Sequence, residues 1–335
     1  MDPELIAFGC LTRSARRNRL AAADSDRFAP LDRSLPLYRI LEPSGAPMNR
    51  TFLVCFGFIA AYFLIDPRVR SAEPPAAAEA PDFARRIPEN RTGDPVFQFN
   101  GKDISGFYTY TNKHHYEDPD RVFTVEDGMI HVSGTDFGGF ATGGNFGDYH
   151  LIVEWKWGDK TYGSRLKAAR DSGILLHCVG KDGAAGGQWM ESIECQIIEG
   201  GCGGFIMVGG KGKPSLTCST RREPGRRGEL WFDPAGESTT RDSGRYNWWG
   251  RDPNWKDALG YRGPRDVEKK PGEWNRMEVI CRGDSITNIV NGYVVNIGTK
   301  CSRSEGKIQF QSEGAEIFFR KIEIRPLISE TGDRR

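Results

Sequence analysis

Two short stretches hold side chains whose types and spacing suit the handling of a polar ligand. They are Asp171-Ser172-Gly173-Ile174-Leu175-Leu176-His177-Cys178 and Glu191-Ser192-Ile193-Glu194-Cys195-Gln196-Ile197-Ile198-Glu199. A strand period of two puts Ile174, Leu176 and Cys178 on one face of the first, and Gly173, Leu175 and His177 on the other. In the second, Ile193, Cys195 and Ile197 share a face opposite Ser192, Glu194 and Gln196. Three polar side chains in register on a central strand are costly unless they meet water or a ligand. A sheet with one apolar and one polar face fits a sandwich whose concave side is a binding cleft. If the two strands are neighbours, His177 and Glu194 look into that cleft together, while Cys178 and Cys195 face the core. The plainer reading puts Glu194 and Gln196 on the wet side of an ordinary antiparallel sheet, with His177 a structural histidine.

The elements that would hold these strands are all β. Apolar runs at 121–125, 129–132, 150–157, 173–179, 192–198, 274–281, 285–290, 293–297, 307–311 and 317–324 are separated by turn signals. Of these signals Asn291-Gly292 is the strongest, because Asn-Gly suits the positive φ values of a two-residue hairpin. No long run keeps a 3.6-residue period, which disfavours crossover helices. Glycine at 41 of 335 residues, about 12%, fits many tight turns. The segment 209–270 is rich in Gly, Pro and Arg, carries Trp231, Trp248, Trp249 and Trp255, and reads as an insertion on the sheet rim. Forty-six basic against 45 acidic residues leave a net charge of +1, so no overall field draws the chain to nucleic acid or an anionic membrane.

The first ninety residues read differently. Met48-Asn49-Arg50 precedes an apolar run, 51–65, that is short for a membrane span and fits a secretory signal peptide over 48–72, with cleavage after Ser71 or Ala78. Residues 1–47 then read as an over-extended start, 73–94 as a Pro/Ala linker, 95–328 as the folded domain and 329–335 as a tail. This implies an exported protein, periplasmic or secreted, with no stable membrane span once the leader is gone. Six cysteines remain after the leader: Cys178, Cys195, Cys202, Cys218, Cys281 and Cys301. They either pair or stay as buried thiols, and no CxxC spacing supports a zinc site.

The opening Phe99-Asn100-Gly101-Lys102-Asp103-Ile104-Ser105-Gly106-Phe107 resembles that of a large bacterial family, the 3-keto-disaccharide hydrolases (DUF1080; 3-keto-glucoside-1,2-lyase/3-keto-2-hydroxy-glucal hydratase). Further matches follow in order. They include Val125-Glu126-Asp127-Gly128, Phe146-Gly147-Asp148-Tyr149, Asp171-Ser172-Gly173-Ile174, Ser192-Ile193-Glu194-Cys195-Gln196-Ile197, Pro271-Gly272-Glu273-Trp274-Asn275, Ile308-Gln309-Phe310-Gln311 and Phe319-Arg320-Lys321-Ile322. The set spans about 97–327. Phe107 stands where the family has Trp, and Glu313-Gly314 where it has His-Gly. The resemblance implies a concanavalin A-like jelly-roll sandwich of two antiparallel sheets.

It also implies a chemistry. A ketone at C3 of a glycoside acidifies the C2 hydrogen; a base removes it, the C1 aglycone leaves, and water adds to the resulting glucal. On this resemblance His177 is the candidate base and Glu194 its partner acid. Gln196 and Arg320 are candidate donors to the sugar or enolate, with Asp171, Glu191 and Trp189 as further sugar-binding candidates and His114 and His115 near the rim. The sequence requires no cofactor; a divalent metal is a possible polarising group, without recognisable ligand spacing. Two other functions fit the same fold. A two-carboxylate glycosidase needs its acids within about 5–9.5 Å, and no pair among Glu191, Glu194 and Glu199 meets this on one strand, so a second strand would have to supply one. A lectin-like module would stack sugars on rim tryptophans such as Trp189, Trp248, Trp249 and Trp255.

Overall fold

The alternating strands of the central chain pack into two antiparallel sheets that enclose one apolar core, in a computed structural model that describes residues 80–209 and 214–328. The proposed leader, residues 48–72, and the tail from 329 lie outside the described residues. One sheet has eight strands. Its path runs Gly244–Tyr246, Phe205–Val208, Glu191–Ile198, Asp171–Val179, Glu305–Ser312, Gly138–Thr142 and Phe107–Thr111, with Phe146–Gly147 paired beside it. The other has eleven, centred on Asn275–Arg282, Tyr149–Thr161 and Ala315–Pro326. The chain crosses repeatedly from one sheet to the other, giving the expected all-β jelly-roll sandwich. Every apolar run read from the sequence overlaps a strand, the runs 121–125 and 274–281 beginning one or two residues before theirs. Asn291 (φ 48°) and Gly292 (φ 83°) make the hairpin turn that their types demand. Among the described residues no helix is long and apolar enough to cross a membrane.

The two chemically marked strands are direct neighbours near the middle of the eight-stranded sheet, with Gly173 opposite Gln196 and Leu175 opposite Glu194. Ile174, Leu176, Ile193, Cys195 and Ile197 enter the main core as their alternation requires. Beyond Leu176 the alternation breaks. A β-bulge lies between Leu176 and Val179, and His177 takes a left-handed φ of 53°. The extra residue shifts parity. Cys178, expected on the core side, instead joins Leu175, Ala185, Met190 and Val208 in a second apolar cluster on the opposite face.

The same shift removes His177 from the cleft. Its ring is fully buried and meets the edge of Tyr149, a residue of the other sheet, at 5.7 Å. Nδ1 lies 2.9 Å from the Arg303 carbonyl, so it carries the proton that is donated there, and buried Nε2 has no partner among the described residues. The expectation that His177 and Glu194 face one hollow is therefore corrected, for a reason that two-residue periodicity cannot foresee.

Two further expectations change. The 209–270 segment is not a loop on the rim. It supplies Leu216–Arg221, Trp231–Phe232 and Glu237–Arg241 to the larger sheet and Gly244–Tyr246 to the smaller. Trp231, Trp248 and Trp249 are buried in it, with the Trp249 indole N–H donating to the Val294 carbonyl at 2.9 Å. Nor is all of 73–94 a free linker. Asp82–Arg85 forms a 3₁₀ turn, Ala84 is buried, and Phe83 packs edge-on against Phe232 and Trp249 at 5.8 and 6.2 Å. All six cysteines of the domain are buried free thiols.

Burial holds the His177 imidazole neutral, lowering its pKa from 6.5 to about 4 against the opposing hydrogen bond to Arg303. Its contribution to stability is therefore complete above the unfolded value of 6.5 and is lost as pH falls toward 4. Between pH 7 and 4.5 the wild type should lose about 2 kcal/mol more than His177→Asn, which tolerates the same backbone and does not titrate. Urea unfolding of both proteins at the two pH values measures this; equal losses would contradict a buried neutral ring.

Candidate active site

The polar face of the eight-stranded sheet floors a cleft of about 360 Å³. Glu194 and Gln196 come from Glu191–Ile198, Asp171 from the start of Asp171–Val179, and Gln311 from Glu305–Ser312. Ala185, Gly186 and Trp189, from the connection between the two marked strands, form part of one wall. Arg165 and Glu313, from the Gly163–Arg165 turn and the end of Glu305–Ser312, form another. The Trp189 indole N–H is pinned to the Gly138 carbonyl at 3.1 Å, so its ring is held at the wall. These walls explain why Glu194 and Gln196 are buried and not on a wet outer face.

Glycine makes the floor. A Cβ at Gly173 would collide with the Glu194 and Gln311 side-chain oxygens. Gly173 is not in the left-handed region, so the requirement there is for space and not for backbone freedom. The registers also align a row across four strands: Leu175 opposite Glu194, Glu194 opposite Ile206, and Ile206 opposite Arg245. Arg245 thus stands at the sheet edge on the same line as Glu194, and its charge reaches both Glu194 and Asp171.

Three acids crowd this cleft. Arg165 is paired with Asp171, and also reaches Asp257 at 3.1 Å and Glu313 at 3.5 Å. Glu194 is 4% exposed and makes no hydrogen bond or ion pair within the described residues. Burial pushes it up to about 8, Asp171 adds to the rise, and Arg245 opposes it. Burial pushes Asp171 up to about 7, with Arg165 the main opposing influence. Burial and the charges of Asp171 and Glu194 drive Glu313 well above the usual carboxyl range, against Arg165. Burial thus raises all three carboxyls and favours their protonated forms, with Arg165 opposing the rise at Asp171 and Glu313 and Arg245 opposing it at Glu194 and Asp171. Among the described residues the Gln311 Oε1 and Gln309 Nε2 atoms are buried without partners. Gln311 lines the cleft, and its free oxygen is an acceptor available to a ligand hydroxyl.

Of the residues singled out from sequence, Glu194, Gln196, Asp171 and Trp189 come together here. Glu191 does not. It stands opposite Val179 beyond the bulge, and its carboxylate takes Arg303 at 3.1 Å. Arg320 is on the wrong sheet altogether. It lies in Ala315–Pro326, where it pairs with Glu154 at 2.6 Å and stacks 4.3 Å from the Trp274 ring. His114 pairs with Asp120 at 3.1 Å and His115 stacks on Tyr110 at 5.3 Å; neither lines the cleft. Among the described residues no group of three or more His, Cys, Asp or Glu converges as a metal ligand set, and Arg165 already holds two of the cleft acids. The sequence reading missed Arg165, Arg245, Gln311 and Glu313. Alternation in Ile308-Gln309-Phe310-Gln311 marks Gln311 in the same way that it marks Gln196. The two arginines lie on a short turn and an edge strand, where no period signals them.

A jelly-roll sandwich with a polar, sugar-sized hollow on one sheet is the class defined by this geometry, and it belongs with carbohydrate-active proteins. The chain is a member of the family described as the 3-keto-alpha-glucoside-1,2-lyase-like domain, whose model matches residues 95–325. No curated protein matches it by sequence. Solved structures similar to it include a protein named as a glycosyl hydrolase from Parabacteroides distasonis, 19% identical, with 69% of this chain and 92% of that one covered and a TM-score of 0.40. A protein with a galectin-like fold from Bacillus subtilis is 12% identical, with 72% and 100% covered and a TM-score of 0.38. A Bacillus licheniformis β-glucanase is 9% identical, with 70% and 99% covered and a TM-score of 0.37.

Gly173→Ala should force Glu194 and Gln311 apart and cost about 1–3 kcal/mol by overpacking. Urea unfolding measures that cost, and a crystal structure of the variant should show both side chains displaced. A variant as stable as wild type, with both side chains unmoved, would contradict the tight floor.

Proposed function

We propose that the domain cleaves 3-keto-glycosides by removing the C2 proton and eliminating the C1 aglycone, with water then adding to the glucal. The observation that carries this reading is the Glu194 carboxyl, buried on the floor of a polar cleft without a hydrogen-bond partner among the described residues. Such a group is a stronger base than a solvated carboxylate, and its pKa of about 8 lies near a working pH. In its ionised form Glu194 takes the C2 proton. The C2–H electron pair forms the enolate, whose oxygen is stabilised by the guanidinium of Arg245 and the amide of Gln196. The enolate then collapses to restore the ketone, the C1–O bond breaks, and protonated Glu313 gives its proton to the departing oxygen. Hydration runs the same exchange backwards. Water loses a proton to Glu313 as its oxygen bonds to C1, and Glu194 returns a proton to C2, so both acids are reset. Burial is the main cause of the raised pKa values of Glu194 and Glu313, and Asp171, held by Arg165, adds to both when ionised.

Two other readings have an observation in their favour. Asp171, Glu194 and Glu313 bring carboxyls from different parts of the fold to one cleft, which one strand could not do and which direct hydrolysis of an ordinary glycoside would need. Trp189 at the wall suits a binding module. Export, proposed from the Met48-led apolar run, would place the activity outside the cytoplasm.

Incubation of the domain with a 3-keto-glucoside and with the matching glucoside separates the three. Aglycone release from the ketone alone supports elimination, release from both supports hydrolysis, and binding without release supports a module. Glu194→Gln should lower kcat by about 10²–10⁴-fold. Because the base must be ionised, wild-type kcat/KM should rise about tenfold per pH unit up to about 8 and level off above it. Unchanged turnover in Glu194→Gln would remove Glu194 from the chemistry.

A further inference from the structure

Arg245 lines two hollows. Beyond the cleft it also borders a pocket of about 390 Å³ with Arg226, Glu229, Asn247, Arg251, Asp252, Pro253 and Trp255. The central feature of this pocket is Arg251. Its residue is only 6% exposed, yet among the described residues its guanidinium makes no ion pair and no hydrogen bond; its neighbour is the Trp255 ring, 4.2 Å away. Buried charges in proteins are ordinarily paired, because an uncompensated one costs several kcal/mol. Arg245 likewise has no acid within ion-pair distance among the described residues. Burial and the facing Arg245 charge both act on Arg251 in the same sense, lowering its pKa to about 10. Neither acid of the pocket forms an ion pair with these guanidiniums among the described residues, although the charges of Glu229 and Asp171 oppose part of the lowering at Arg251. Asp252 accepts the Tyr261 hydroxyl, and Glu229 takes the Asn247 amide at 3.4 Å. The Asn247 Oδ1 atom is buried and, among the described residues, unpartnered, an acceptor for a ligand hydroxyl.

We propose that this pocket is a second subsite that receives an anionic aglycone, in which a carboxylate on the leaving unit pairs with Arg251 and Arg245 while a hydroxyl of that unit donates to Asn247. The inference rests on the lyase reading for its direction, since Arg245 joins the pocket to the cleft holding Glu194. The substrate class is then a 3-keto-glycoside whose aglycone is an acidic sugar or hydroxy acid. A flat unit would also find the exposed part of the Trp255 ring. Arg251 serves as a binding residue and takes no part in proton transfer.

The test separates binding from turnover. Binding is read with glucuronic acid as probe against glucose, by thermal shift and calorimetry on wild type and Arg251→Met. Glucuronic acid should raise the wild-type midpoint while glucose does not, and Arg251→Met should lose at least tenfold in affinity for the acid. Because the variant removes an unpaired buried charge, its own unliganded stability should be equal to or higher than that of wild type. Equal binding of both sugars, or an unchanged affinity in Arg251→Met, overturns the subsite. Turnover is then compared on two aryl 3-keto-glucosides of matched leaving-group acidity, one with a carboxylate on the ring. The acidic substrate should show a kcat/KM at least tenfold higher in wild type and near parity in Arg251→Met. Similar rates for both in wild type overturn the subsite and leave the lyase reading standing. Arg251-dependent binding of the acid with no turnover of either substrate keeps the anion site and overturns the lyase reading instead.

Discussion

A carboxyl group without a partner, held in a nearly dry hollow, is the constraint around which this protein is arranged. Glu194 sits where a sheet would ordinarily present either an apolar residue or a solvated one. It is tolerable there because its proton can stay on and because Gly173 leaves room beneath it, while the Arg165 guanidinium of the same cleft is engaged by Asp171 and Glu313. Had Arg165 faced Glu194 instead, the carboxylate would have been stabilised and would have lost its basicity. Burial raises the proton affinity of all three acids, and the arginines beside them oppose that rise, which brings these carboxyls toward the range that acid–base work near neutral pH needs.

The sandwich supplies this arrangement through register. Neighbouring strands in the eight-stranded sheet bring Glu194 beside Leu175 and Ile206, and carry the row on to Arg245 at the edge. The core on the other face, with Ile193, Cys195, Ile197, Ile174 and Leu176, fixes that register, because a slip of one residue would bury the acids in hydrocarbon. Packing and chemistry therefore share the same strands, each taking one face.

The 209–270 segment has a larger part than its composition suggests. It extends both sheets, buries three tryptophans, and ends the smaller sheet with the strand that bears Arg245. Its Arg251 and Trp255 then build a second, cationic hollow beside the first. A segment rich in Gly, Pro and Arg looks structureless by periodicity, but its tryptophans are large enough to anchor short strands that no alternation announces.

Alternation and turn chemistry in the sequence by themselves determined the all-β class, the positions of ten of the strands, the Asn291-Gly292 hairpin and the face shared by Glu194 and Gln196, because a strand's period is local and side-chain direction follows from it. Ordered motifs likewise determined the family. Only the tertiary structure decided which candidates meet. One inserted residue at His177 reversed the parity of the chain beyond it and turned the imidazole toward Tyr149, and the assignment of Ala315–Pro326 to the other sheet took Arg320 away from the cleft. Arg165, Arg245, Arg251 and Glu313 reach their places from a turn, an edge strand, a loop and a strand end, where no repeating backbone geometry links sequence position to direction. Whether a carboxyl is paired or left alone depends on such long-range placements, so the proton affinities of this cleft are a property of the assembled fold.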